Sequence, residues 1–159
     1  MKKDNSTKLI RSGLKRTEFM ETSEPLFLTS GFVYNSAEEA EDAFKERKKR
    51  FMYSRFGNPT VQMLQDKLAD IEGAEVCWCT STGMAAVFTI FMSFLKKGDR
   101  VVAGRALFGS CHHIITEILP RFGIEVELID GKDLNSWDKA LKKRTSLIFF
   151  ETPSNPCLE

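Results

Sequence analysis

From residue 60 onward, apolar and polar positions alternate between two rhythms. Val61, Leu64, Leu68 and Ile71 recur at helical spacing, with Thr60 as the expected N-cap and Gly73 as the expected end. Residues 75–80 then predict a strand, which places Cys77 and Cys79 on one face. The same reading gives a helix over 83–95, a turn at 97–99 and a strand over 100–103. A helix over 110–122 follows, with Pro120 near its end, and then a strand over 124–129. Asp133 caps a helix running to about Lys142, and 145–150 is a last strand. Strands alternating with helices imply βαβ units, an α/β fold and a mainly parallel sheet. Such a sheet is buried on both faces, which suits the unbroken apolar run Leu147, Ile148, Phe149 and Phe150.

The first 52 residues differ. They are polar, with short apolar patches at 26–28 and 32–34 and a charged helix expected over 37–50. Residues 1–52 therefore read as an arm, and 53–159 as the first part of a larger domain. The sequence stops just after a strand-end loop with no covering helix behind it, so the pattern reads as cut off.

Charge and composition narrow the function classes. The 159 residues are 42% hydrophobic and 28% charged, a globular mix. The formal net charge of +1 supplies no field to draw nucleic acid or an anionic membrane. The basic stretch at 45–50 follows Glu38, Glu39, Glu41 and Asp42, and reads as a solvated helix face. The longest apolar run, 85–95, contains Thr89 and Ser93 and is about half the ~20 residues a bilayer needs. It predicts a buried core helix. The N-terminus lacks the apolar stretch of a signal peptide, which places the protein in the cytoplasm. Cys77, Cys79, Cys111 and Cys157 read as free, buried thiols, because their spacing to His112 and His113 fits no zinc pattern; no metal is expected. Neither histidine has a partner pattern for catalysis.

Ligands of open parallel sheets bind beyond the carboxyl ends of the strands. Three loops fall there: 81–84, 105–110 and 151–156. Gly83 and Met84 open a helix whose spare N–H groups and dipole suit an anion, with Ser81 or Thr82 as a hydroxyl donor. The same residues serve equally as a plain N-cap. Tyr53 and Arg55 can both donate to a phosphate, or can simply end the arm. Phe108 can stack on a flat ring or pack in the core. Asn155 can donate to a ligand oxygen or cap its own turn, and Glu151 reads as a site carboxylate or a structural one.

Taken together these segments are specific. Tyr53-x-Arg55-x-x-Asn58-Pro59-Thr60, Thr82-Gly83-Met84-Ala85-Ala86, Leu107-Phe108-Gly109-Ser110 and Glu151-Thr152-Pro153-Ser154-Asn155-Pro156 occur in this order. In that order and spacing the chain resembles the pyridoxal-phosphate (PLP) enzymes of cysteine and methionine metabolism, from about Leu9 to its end. The resemblance implies the N-terminal part of a type I PLP-dependent transferase large domain. It implies that Gly83 and Met84 hold the PLP phosphate, with Thr82 in place of the more usual serine. It implies that Tyr53 and Arg55 reach the phosphate of a neighbouring subunit in a homo-oligomer, a tetramer, with shared sites. Asn155 then bonds the phenolic oxygen of the cofactor, and Phe108 stacks on its ring without the hydroxyl of the commoner tyrosine. The resemblance is strongest to the O-succinylhomoserine sulfhydrylases, which implies γ-replacement on O-succinylhomoserine by sulfide to give homocysteine. Cystathionine γ-synthase and the methionine or cystathionine γ-lyases are the alternatives within the family. A non-catalytic assembly module is the alternative outside it. The Schiff-base lysine of the family is expected beyond Glu159, so this stretch alone is expected to be inactive.

Overall fold

The computed structural model describes residues 5–158, and the chain divides after Cys79 into two compact units. The first contains helices α1 (Asn5–Arg11), α2 (Ala37–Phe44) and α3 (Pro59–Glu72). Asn58, not Thr60, caps α3: its side-chain oxygen accepts the Thr60 N–H at 2.9 Å. Pro59 then occupies the first helical position, where a missing N–H costs nothing. The Thr60 hydroxyl instead accepts the Phe27 N–H at 2.9 Å and so ties the arm to the helix. Gly73 ends α3 in the left-handed region at φ 68°, as its position in the sequence predicts.

The buried face of α3 differs from the expected one. Met63, Gln65 and Ala69 are buried, while Val61, Leu64 and Leu68 remain exposed. The cause is the arm, which lies on the other face. Ion pairs Lys8–Asp70, Lys15–Asp66 and Lys67–Glu24 hold it there. Gly13, at φ +73°, sits where a Cβ would strike the Met63 carbonyl oxygen and the Lys67 nitrogen.

Helix α2 stops at Phe44 instead of running to residue 50, and Glu46 takes a positive φ of 56°. A helical continuation would stack the cations of 45–50 on one another. The chain turns back instead, and Arg47 meets Asp42 at 3.2 Å while Lys48 and Arg50 meet Glu39 at 3.1 and 2.8 Å. The Asn35 N–H, then Lys48, hold the Glu39 carboxyl down at about 2. A depressed carboxylate contributes stability that is complete above the ordinary value of 4.5 and is lost as pH falls through about 2. The Asn35 amide signal, whose N–H the Glu39 carboxylate accepts, is expected to move across that window, and Glu39→Gln to abolish that movement. A flat response in the wild-type chain would contradict this.

Residues 75–80 form no strand. Their apolar character is as expected, but a strand needs a paired neighbour, and among the described residues none lies beside them. Val76 and Trp78 are accordingly 60% and 76% exposed. Of the four cysteines, all free, only Cys111 is buried; Cys77 and Cys79 are half-buried and Cys157 is exposed. Burial, and then the neighbouring Cys77, push the Cys79 thiol up.

The second unit is the α/β part. Helix α4 (Gly83–Phe94) leads to β1 (Arg100–Gly104), α5 (Gly109–His113), β2 (Glu125–Ile129), α6 (Leu134–Ala140) and β3 (Leu147–Phe149). The three strands are parallel in the order β2-β1-β3, with Val102 opposite Glu127 on one side and Ile148 on the other. All of β1 is buried, as a central parallel strand requires. Its side chains alternate. Val101 and Ala103 join Phe91, Leu107, Cys111, Ile115 and Leu119 on one face, and Val102 joins Ile129 and Ala140 on the other. The helix expected over 110–122 is α-helical only to His113; it continues as a π turn, Ile114–Ile118, and a 3-10 turn, Leu119–Phe122, that carries Pro120. Arg100 fastens the opposite ends of the strands, donating to the Ala140 carbonyl and the Thr145 hydroxyl at 3.1 and 2.6 Å and pairing with Glu127.

Helix α4 departs from the fully buried helix its composition predicts. Phe91 is wholly buried, but Ile90 is 48% and Phe94 71% exposed. One side packs on the sheet, and among the described residues nothing covers the other. No described helix is long and apolar enough to cross a membrane.

Candidate functional site

The sheet delivers two of the three predicted loops to its carboxyl edge. Loop 105–110 follows β1 and loop 151–156 follows β3. Between them lies a cavity of about 250 Å³ lined by Gly104, Ala106, Gly131, Glu151 and Ser154, among others. Gly104 and Gly131 approach so closely that a Cβ on either would lie under 4 Å from the other's Cα.

The third loop sits at the start of α4. Thr82 is extended, at φ −152°, and its hydroxyl oxygen accepts the Ala85 N–H at 3.0 Å. That satisfies one orphan donor of the helix. The N–H groups of Gly83 and Met84 have no acceptor among the described residues. Gly83 is exposed, its φ is not positive, and a Cβ added to it would meet nothing within 4 Å. Nothing in the fold thus calls for glycine at the head of this helix, where it weakens the helix by up to ~1 kcal/mol relative to alanine. Space beside two free N–H groups suits a ligand anion. The two readings of Thr82 are compatible: its oxygen caps the helix while its hydroxyl proton stays free to donate. Met84 packs on the cluster that holds Leu107 and Cys111, linking this helix start to the 105–110 segment.

Phe108 is the residue before α5, and its ring is 42% exposed. Phe108 is thus not one of the buried core residues. Its main chain is fixed by Glu151, whose two oxygens accept the Phe108 N–H at 2.9 and 3.0 Å. Glu151 also accepts the Asn155 N–H at 3.2 Å. The Asn155 side chain is exposed and its amide has no hydrogen-bond partner among the described residues. Burial, and then the Glu151 charge with its hydrogen bond, push the Cys111 thiol up. Sequence reasoning left Glu151 between two roles and did not foresee that it would join Phe108 to Asn155. Its position two residues past β3 was the available signal.

Tyr53 and Arg55 belong to the first unit. Tyr53 forms an isolated antiparallel bridge with Gly31, and its carbonyl accepts the Phe56 and Gly57 N–H groups at 2.9 and 3.2 Å. The Arg55 guanidinium lies 4.9 Å from the Tyr53 ring centroid and 5.4 Å from that of Phe56. Among the described residues it meets no carboxylate. An arginine stacked on aromatics with its donors open is available to an external anion. His112 is half-buried and His113 exposed. Among the described residues no three His, Cys, Asp or Glu side chains group as a metal site.

Comparison with known proteins gives these features a context. The family model for Cys/Met metabolism PLP-dependent enzymes matches residues 6–159. An O-succinylhomoserine sulfhydrylase of Mycobacterium tuberculosis is 50% identical over 147 residues, 92% of this chain and 36% of that protein. Another, of Pseudomonas aeruginosa, is 39% identical over 153 residues, covering 96% and 38%. An L-methionine gamma-lyase of Treponema denticola is 34% identical over 151 residues, covering 95% and 38%. Among solved structures, a putative O-acetylhomoserine (thiol)-lyase of Campylobacter jejuni, crystallised with a pyridoxyl-lysine phosphate, superposes with a TM-score of 0.89 at 28% identity. It is matched over 99% of this chain and 39% of its own. The chain therefore spans under two-fifths of the length of these curated relatives.

Proposed function

Because the chain belongs to the Cys/Met metabolism PLP-dependent enzymes, we propose that it builds the phosphate and ring-face side of a PLP site. The whole site is that of an O-succinylhomoserine sulfhydrylase. The observation that carries this reading is the pair of unpartnered N–H groups at Gly83 and Met84, in open space at a helix start. They bind the phosphate, and the Thr82 hydroxyl adds a third donor. The Phe108 ring covers the cofactor face, and the free Asn155 amide donates to the phenolic oxygen. PLP, when bound, acts as an electron sink that allows protons to leave the substrate carbons. The chain's own groups orient the ring and hold its charges.

Tyr53 and Arg55 serve the phosphate of a neighbouring subunit in this reading. The arm, residues 1–52, supplies the subunit contact, which fits the exposure of Phe19, Leu28 and Val33 at 83%, 93% and 88%. The substrate is O-succinylhomoserine, the second substrate sulfide and the product homocysteine, in the cytoplasm. Identities of 50% and 39% to sulfhydrylases, against 34% to a γ-lyase, favour replacement over elimination.

The test is a chimera in which residues 1–159 replace the matching segment of the Mycobacterium tuberculosis relative. It is expected to form homocysteine from O-succinylhomoserine and sulfide, and to do so faster than from O-acetylhomoserine. A chimera that binds PLP but only eliminates, releasing 2-oxobutanoate, would reverse the choice.

A further inference from the structure

Glu151 stands at the sheet's carboxyl edge, and the site as proposed gives it no task. Glu151 lines the 250 Å³ cavity and accepts from two separate loops. Its Oε1 and Oε2 share the Phe108 N–H, Oε2 also takes the Asn155 N–H, and the Cys111 thiol faces the same carboxylate from the first turns of α5. Phe108 offers the ring and Asn155 the free amide, yet neither side chain is fixed by a hydrogen bond of its own. Both are exposed, and neither loop has regular structure where they stand. One carboxylate accepts from the main-chain N–H groups of both. Ser154, the neighbour of Asn155, is buried at 2% exposure and anchors the far side of the loop.

We propose that Glu151 is a positioning residue: it locks the ring-stacking Phe108 and the amide-bearing Asn155 in one fixed register through their main-chain N–H groups. This rests on the cofactor reading above, but the lock itself is a property of the free chain. An anionic acceptor shared by several N–H groups makes shorter, stronger bonds than a neutral amide oxygen. Two loops on one anion also move together, which precise placement of a stacking ring requires.

The experiment is amide hydrogen exchange read from ¹H–¹⁵N spectra of the wild-type chain and of Glu151→Gln, with the spectra repeated with PLP added as the probe. The groups facing the carboxylate are the Cys111 thiol on α5 and, across the cavity, Lys132 on the loop before α6. In wild type the exposed Phe108 and Asn155 amides are expected to exchange with solvent deuterium slowly and at a common rate, because both N–H groups are held by Glu151, and in Glu151→Gln to lose that protection together. Amides that exchange at separate rates, or without protection, in the wild-type chain overturn the proposal even if the variant fails to fold. With PLP, Glu151→Gln is expected to raise the half-saturation concentration about 10-fold, the worth of one charge-assisted bond. The PLP-induced shifts at Gly83 and Met84 are expected to persist at saturation. Unchanged affinity and unchanged Phe108 and Asn155 shifts also overturn it. Absence of any PLP-induced shift at Gly83 and Met84 in wild type would defeat the cofactor reading instead, leaving the shared exchange protection to decide the lock.

Discussion

Gly83→Pro is expected to leave the fold intact and to weaken PLP binding by about 10- to 100-fold, the range of one hydrogen bond to a charged group. Every local requirement for proline is met. Position 83 is the first residue of α4, where proline is favoured. Thr82 before it is already extended, at φ −152° and ψ 160°, the region that a following proline demands. The N–H removed has no acceptor in the chain, and a Cβ there meets nothing within 4 Å. The Thr82 cap on Ala85 is untouched. The substitution thus deletes a donor that only a ligand would use, and puts a ring where the anion would stand. Thermal unfolding followed by circular dichroism, beside a PLP titration, separates the two effects. Unchanged PLP affinity in a folded variant would remove Gly83 from the site.

Phe91→Ala is expected to destabilise the second unit by about 3–5 kcal/mol, the usual cost of deleting a buried aromatic side chain. Phe91 is fully buried and is the one α4 residue that is. Its ring stands 5.1 Å from that of Phe149 on β3, within a cluster that includes Val101, Ala103 and Ile115. The helix face beside it is solvated, so little apolar surface is available to collapse into the gap. A loss this large is a substantial part of a domain's stability. Urea unfolding monitored on the second unit's amides measures it. A loss under about 1 kcal/mol would mean that α4 is not anchored through this residue.

The sequence carried the second unit well and the first unit poorly, for identifiable reasons. Arg100–Gly104, Glu125–Ile129 and Leu147–Phe149 pair within the chain, so their apolar runs became strands close to the predicted bounds. Residues 75–80 have the same signature without a described neighbour to pair with. Period alone does not state which element will supply the other half of a ladder. On α3 the apolar stripe was visible, yet the arm took the opposite face through Gly13 and three ion pairs. Those contacts span about fifty residues and leave no local trace. The end of α2 was decided by electrostatics, because the basic run folds back onto Glu39 and Asp42. At the site, Gly83, Met84 and Thr82 were legible from helix-start chemistry. The bonding of Glu151 to two loops was not, since it depends on β1 and β3 lying side by side.

The central claim is that the start of α4 holds the phosphate of PLP. Paired ¹H–¹⁵N titrations of the wild-type chain, one with PLP and one with pyridoxal lacking the phosphate, test it most directly. The account predicts saturable shifts at the Gly83 and Met84 amides with PLP and none there with pyridoxal. Equal shifts with both compounds, or PLP-induced shifts that leave Gly83 and Met84 unmoved, would contradict it.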